Sequence, residues 1–157
     1  WAPLITGSGP CVAAVQPMRG QMLAFESDAV RHVTCGAGGY LIPRSGGIIV
    51  AGGTMEHAGF EVETTADGLE SIRSRAIALC PALAEAPIHS HWAGLRPVTP
   101  DLLPIIGADP ERPRLIYACG HSRNGILLAP LTAEVVADLA TGVTPRHNLS
   151  RFRPGRH

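Results

Sequence analysis

The sequence has no cluster of one charge sign. Thirteen Lys and Arg balance thirteen Asp and Glu, and charged residues are only 17% of the 157. A neutral chain without a basic patch offers no electrostatic grip on nucleic acid or an anionic membrane. No apolar run approaches the roughly 20 residues needed to span a bilayer, and no repeat or low-complexity tract is visible. The four cysteines (Cys11, Cys35, Cys80, Cys119) lie far apart without a CxxC pair. They read as buried free thiols of a reducing cytoplasm rather than a metal centre or disulfide frame. His89 and His91 alternate on one strand, and His121 could join them. No third ligand stands at a diagnostic spacing, so no metal is expected. A dinucleotide fingerprint is missing too: GSGPCV (7–12) and GAGGYL (36–41) both fail GxGxxG at the last glycine.

What is there is apolar and glycine-punctuated. Hydrophobic residues make up 45%, enough for a well-buried soluble domain at this length. Residues 12–26 and 32–34 have the alternating look of strands. YLIPR (40–44) and IIVAGG (48–53), separated by a Gly-rich link, read as a β-hairpin, and residues 55–62 could continue the meander. Over 64–80 the period changes: Leu69, Ile72, Ala76 and Leu79 fall at helical spacing behind Thr64 or Thr65 as cap, and Pro81 ends the run. Residues 88–97 read as a strand, 98–107 as a proline-punctuated loop and 115–119 as a short strand. Residues 125–142 form a helix, with Pro130 close to its first turn and Gly142 after its end. The polar tail NLSRFRPGRH is expected on the surface. Mostly antiparallel strands with two helices define an α+β class. The chain opens at Trp1 without Met, and its first ten residues read as the middle of something longer, so a fragment is expected.

The stretch GHSRNG (120–125) lies between a strand and a helix, where a nucleophile elbow belongs. Ser122 followed by Asp138 and His147 even keeps a hydrolase order. The usual second glycine is Asn124, however, and no alternating strand–helix pattern precedes it, so the hydrolase reading is a distant alternative. Two arginines carry more. Arg96 ends an otherwise apolar strand (WAGLRP) and Arg123 sits on the glycine turn, both in sparsely charged surroundings. A guanidinium there suits a carboxylate, with internal ion pairing as the competing explanation. The amides that start the 125–142 helix would add an anion or dipole site beside them.

PMRGQML (17–23), YLIPR (40–44), IIVAGGTMEHAGF (48–60), HWAGLRPVTPDLLPIIG (91–107) and GHSRNGILLAP (120–130) closely resemble the bacterial glycine oxidase branch of the D-amino-acid oxidase family, in order and with fitting spacing. The resemblance implies FAD as cofactor and oxidation of glycine or another small amino acid or secondary amine to an imine. Oxygen is the electron acceptor and gives hydrogen peroxide; thiamine biosynthesis is the associated setting. It implies a substrate-binding portion over 1–107, an antiparallel sheet with a flanking helix. A strand, turn and helix over 108–157 would then complete the FAD-binding domain. Trp1 resembles the tryptophan that follows a late strand of that domain. The GxGxxG βαβ unit and about the first half of such an enzyme lie outside this chain, so the chain alone is expected to be inactive.

Arg96 looks like the main substrate-carboxylate clamp and Arg123 the second contact. Tyr40 looks like a pocket tyrosine and Met55 a pocket-wall residue. His121, Ser122, Arg123, Asn124, Gly125, Ile126 and Leu127 correspond to the stretch that wraps the flavin ring. No residue need act as a catalytic acid or base. Ser122 departs from the aromatic residue expected there, which leaves the substrate open. A truncated or split relative that binds no FAD is the alternative reading, and self-association is left open.

Overall fold

The computed structural model describes residues 2–157. The chain divides into two compact units, Met18–Leu95 and the residues through Pro17 together with Arg96–His157. Both are mixed α and β with antiparallel pairing, as expected from the sequence.

The 18–95 unit is built on a sheet. Strands β1 (Gln16–Glu26), β2 (Thr34–Gly36), β3 (Gly39–Arg44), β4 (Ile48–Gly52) and β5 (Ile88–Val98) lie in the order β2-β3-β4-β1-β5. The expected hairpin is present. Arg44 pairs with Ile48, and Gly46 and Gly47 take the left-handed conformation (φ 79° and 70°) that closes so short a loop. Helix α1 (Ala66–Leu79) starts at Thr65, whose hydroxyl accepts from the Gly68 amide at 3.2 Å. It ends at Cys80 before Pro81. The predicted spacing works as read: Ile72 and Ala76 are buried against Leu23, Phe25, Leu41, Ile49 and Ala51, with Leu69 and Leu79 at the margin. Odd-numbered residues of β1 therefore face α1, and even-numbered ones face the other side of the sheet.

In the other unit β6 (Ile105–Ala108) and β7 (Ile116–Cys119) form an antiparallel hairpin against which α2 (Gly125–Thr141) packs. Val12, Val15, Ile105 and Tyr117 make its small core. Gly142 closes α2 in the left-handed conformation (φ 76°), as the sequence suggested.

Other expectations are refined by the structure. The strand expected from residue 12 starts only at Gln16; Pro10–Val12 form a 3-10 turn, which Pro10 and a positive-φ Gly9 begin. The loop expected over 98–107 gives way at Ile105 to β6, whose partner β7 (Ile116–Cys119) comes from further along the chain. Pro130 lies inside α2, just past its first turn. The tail is tied down rather than merely laid on the surface. Phe152 accepts from the Ile106 amide at 2.8 Å, and Arg156 holds Asp101 through Nε (2.9 Å) and Nη2 (3.0 Å). The cysteines are free, but Cys35 is exposed and the other three are half-buried.

Candidate functional site

The turn after β7 is determined by sterics. Gly120 has φ 74°, and a Cβ there would sit 2.9 Å from Thr99 Cγ2; only glycine fits. Ser122 is also left-handed, at φ 52°. Its amide donates to the Pro97 carbonyl at 2.9 Å. That one bond joins the residue before Arg123 to the residue after Arg96, so the two predicted arginines stand on backbone segments fastened to each other. Arg96 is half-buried and Arg123 exposed. Asn124 occupies the N-cap position of α2 but its side chain makes no cap bond. The first amides of the helix thus keep their donors and the positive end of the dipole open. Around them Ile126 and Leu127 are 94% and 77% exposed. His121 is half-buried with Nε2 at 3.1 Å from Thr132 Oγ1, and burial pushes its pKa down, favouring the neutral ring.

This arrangement does not make a hydrolase. The His121 ring is turned to Thr132, and His147 accepts from Arg146 Nε at 3.1 Å. Among the described residues no histidine hydrogen-bonds the Ser122 hydroxyl. Nor is there a metal cluster among them: His89 meets Glu26 Oε1 at 3.4 Å, and His91 meets Thr64 Oγ1 at 2.9 Å.

Tyr40 and Met55 belong to the 18–95 unit. Tyr40, Gly52 and Met22 lie opposite one another across β3, β4 and β1. The tyrosine ring crosses Gly52, where a Cβ would lie 2.5 Å from the hydroxyl, and reaches Met22 Sδ at 3.5 Å. Met55 is 48% exposed on the segment after β4. It also borders an open groove of about 650 Å3 with Thr54, Glu56, Asp67 and Arg75. Arg75 is already engaged there by the Gly38 and Ser71 carbonyls. Tyr40 does not line this groove, so groove and predicted substrate residues coincide only at Met55.

The sequence reading missed one polar group. Arg19 (8% exposed) and Gln21 (0%) are buried on the α1 side of β1. Arg19 donates to Glu56 Oε2 from Nε (2.8 Å) and Nη2 (2.5 Å), and Gln21 Nε2 donates to Glu56 Oε1 at 2.8 Å. Burial pushes the Glu56 carboxyl up, but hydrogen bonds from Thr54, Arg19 and Gln21 outweigh it and hold the pKa below its ordinary value. The available signal was two polar residues at alternate positions on the core face of an otherwise apolar strand.

Residues 1–139 match the family described as DAO, FAD dependent oxidoreductase, and the chain belongs to that family. Among curated proteins it is 44% identical over 142 residues to the glycine oxidase of Pseudomonas putida, covering 89% of this chain and 39% of that protein. It is 40% identical to the bifunctional protein ThiO/ThiG of a Nostoc species, covering 90% of this chain and 22% of that one. The crystal structure of glycine oxidase from Geobacillus kaustophilus superposes with a TM-score of 0.85 at 35% identity, covering 92% and 40% of the two chains. The chain thus spans about two fifths of the length of the glycine oxidases it matches.

Proposed function

We propose that this chain is the substrate-binding and flavin-closing part of an oxidase for glycine or another small amino acid or secondary amine. The observation that carries the reading is the bond from the Ser122 amide to the Pro97 carbonyl, which fastens the Arg96 strand end to the Arg123 turn. Relatives named glycine oxidase support it. Arg96 takes the substrate carboxylate through its planar fork, and Arg123 makes the second contact. Tyr40 and Met55, carried by the 18–95 unit, contribute a hydroxyl and an apolar wall.

Bound FAD would supply the hydride acceptor for the substrate Cα–H and the electrons that reduce oxygen to hydrogen peroxide. The open amides at the start of α2 and the apolar Ile126 and Leu127 suit the edge of a flat ring that gains negative charge. His121, Ser122, Arg123, Asn124 and Gly125 complete that stretch. Residues 1–107 form the substrate-binding portion, and 108–157 close the FAD-binding domain. No residue of this set acts as acid or base: the chain's work is orientation. The imine is hydrolysed in water. The setting is the cytoplasm, in keeping with four free thiols.

In the full-length protein, Arg96→Ala is expected to raise KM for glycine about thirty- to several-hundred-fold, the equivalent of roughly 2–4 kcal/mol for an orphaned carboxylate. Arg123→Ala is expected to do less. Steady-state kinetics decide: an unchanged KM in Arg96→Ala removes the clamp, and a larger effect of Arg123→Ala exchanges the two roles.

A further inference from the structure

Directly after Arg96 the chain enters a stretch with little backbone to hold it. Pro97, Pro100 and Pro104 lack amides. Leu102 among them is left-handed at φ 60°, a conformation leucine keeps only where its neighbours impose it. Here one carboxylate imposes it. Asp101 Oδ1 accepts from the Leu103 amide (3.1 Å) and from the Thr99 hydroxyl (2.9 Å), while the Leu102 amide donates to the Thr99 carbonyl at 3.0 Å.

Arg156, 55 residues further along the chain, grips the same carboxylate. Its Nε donates to Asp101 Oδ2 at 2.9 Å, and its Nη2 donates to Oδ1 at 3.0 Å and to the Leu103 carbonyl at 2.6 Å. His157 Nε2 also lies 3.4 Å from Oδ1. The Arg156 bond, working against burial, holds the Asp101 carboxyl well below the usual carboxylate range. An apolar side chain at 156 would serve burial equally well. A forked grip on three oxygens fixes a direction, which apolar packing does not.

The loop held in this way touches the arginine-bearing turn at two points. Thr99, 2% exposed, has its Cγ2 where a Cβ on Gly120 would lie only 2.9 Å away. The Pro97 carbonyl accepts from the Ser122 amide at 2.9 Å. Arg96, Arg123, the 97–104 loop and the tail all belong to one compact unit. Arg156 itself is engaged by Asp101 and is not a substrate contact.

We infer that Arg156 and Asp101 are positioning residues that hold the 97–104 loop, and through Thr99 the Gly120 turn, and so fix the spacing between Arg96 and Arg123. This deepens the proposed function and rests on it for the carboxylate those arginines take. The test uses the full-length protein and the variants Arg156→Gln, Arg96→Ala and their combination, each checked by thermal melting. Arg156→Gln is expected to raise KM for glycine about three- to thirtyfold, the range that coupled neighbours show. The kcat should stay within about threefold.

In the Arg96→Ala background the same substitution should move KM by less than about twofold, because the group it aligns is gone. An equal rise in both backgrounds, or a lowered melting point with an unmoved KM, overturns the inference. Should Arg156→Gln fail to fold, Asp101→Asn reads the same two KM values while keeping an acceptor for the Leu103 amide. If the unsubstituted protein oxidises neither glycine nor sarcosine, the functional reading falls by itself. Exchange of the Ser122 amide then decides the positioning half: faster exchange in Arg156→Gln upholds it and unchanged protection overturns it.

Discussion

Tyr117 shows how one side chain can be tuned by its surroundings. Its ring is buried in the small core of the 1–17 and 96–157 unit. Its hydroxyl lies 2.5 Å from both the Ser8 carbonyl and Asp109 Oδ2, and it accepts from Arg112 Nη2 at 3.2 Å. Burial first, and then the bond to Asp109, raises its pKa from 10.0 to about 12. The folded state therefore favours the protonated phenol. The stability this contributes is complete below the unfolded pKa near 10 and is lost as pH rises through about 12. Urea denaturation of the chain across that window is expected to show a falling midpoint, and Tyr117→Phe is expected to flatten the fall. A variant with the same alkaline slope would assign that loss to another group.

At the scale of elements, the segment that joins β4 to α1 depends on a shared hydroxyl. Thr65 Oγ1 accepts from the Gly68 amide as the cap of α1 and from Gln21 Nε2. Thr65→Ala removes both, so its expected cost exceeds the ~1 kcal/mol of an ordinary cap, read as a lower denaturation midpoint. Thr65→Ser should restore most of it. The turn between β7 and α2 depends on sterics instead. Gly120→Ala meets Thr99 at 2.9 Å with φ 74°, and left-handed strain alone costs about 1–2 kcal/mol. Relief of that clash would pull the turn away from Pro97. The expected result in the full-length protein is therefore a raised KM for glycine together with a lower melting point. Loss of stability with unchanged kinetics would detach the turn from substrate binding.

Across the whole molecule the chain carries arginines, pocket residues and an open helix start, while spanning 39% of the Pseudomonas putida glycine oxidase. The purified chain, mixed with FAD and passed through gel filtration, is expected to be colourless, because no dinucleotide fingerprint for the pyrophosphate is present in it. A retained flavin spectrum would show that the residues here suffice. The sequence by itself determined the β3–β4 hairpin, both helices and the ends of α1, because periodicity, glycine turns and a Thr cap act within a few residues of one another. It also singled out Arg96 and Arg123 as cations in apolar surroundings. Tertiary structure alone decided the rest. β6 is hidden behind prolines until β7 pairs with it. The tail is anchored by an ion pair that spans 55 residues, from Arg156 to Asp101. Each depends on partners distant along the chain, and a short stretch of sequence carries no trace of which distant group will satisfy its hydrogen bonds.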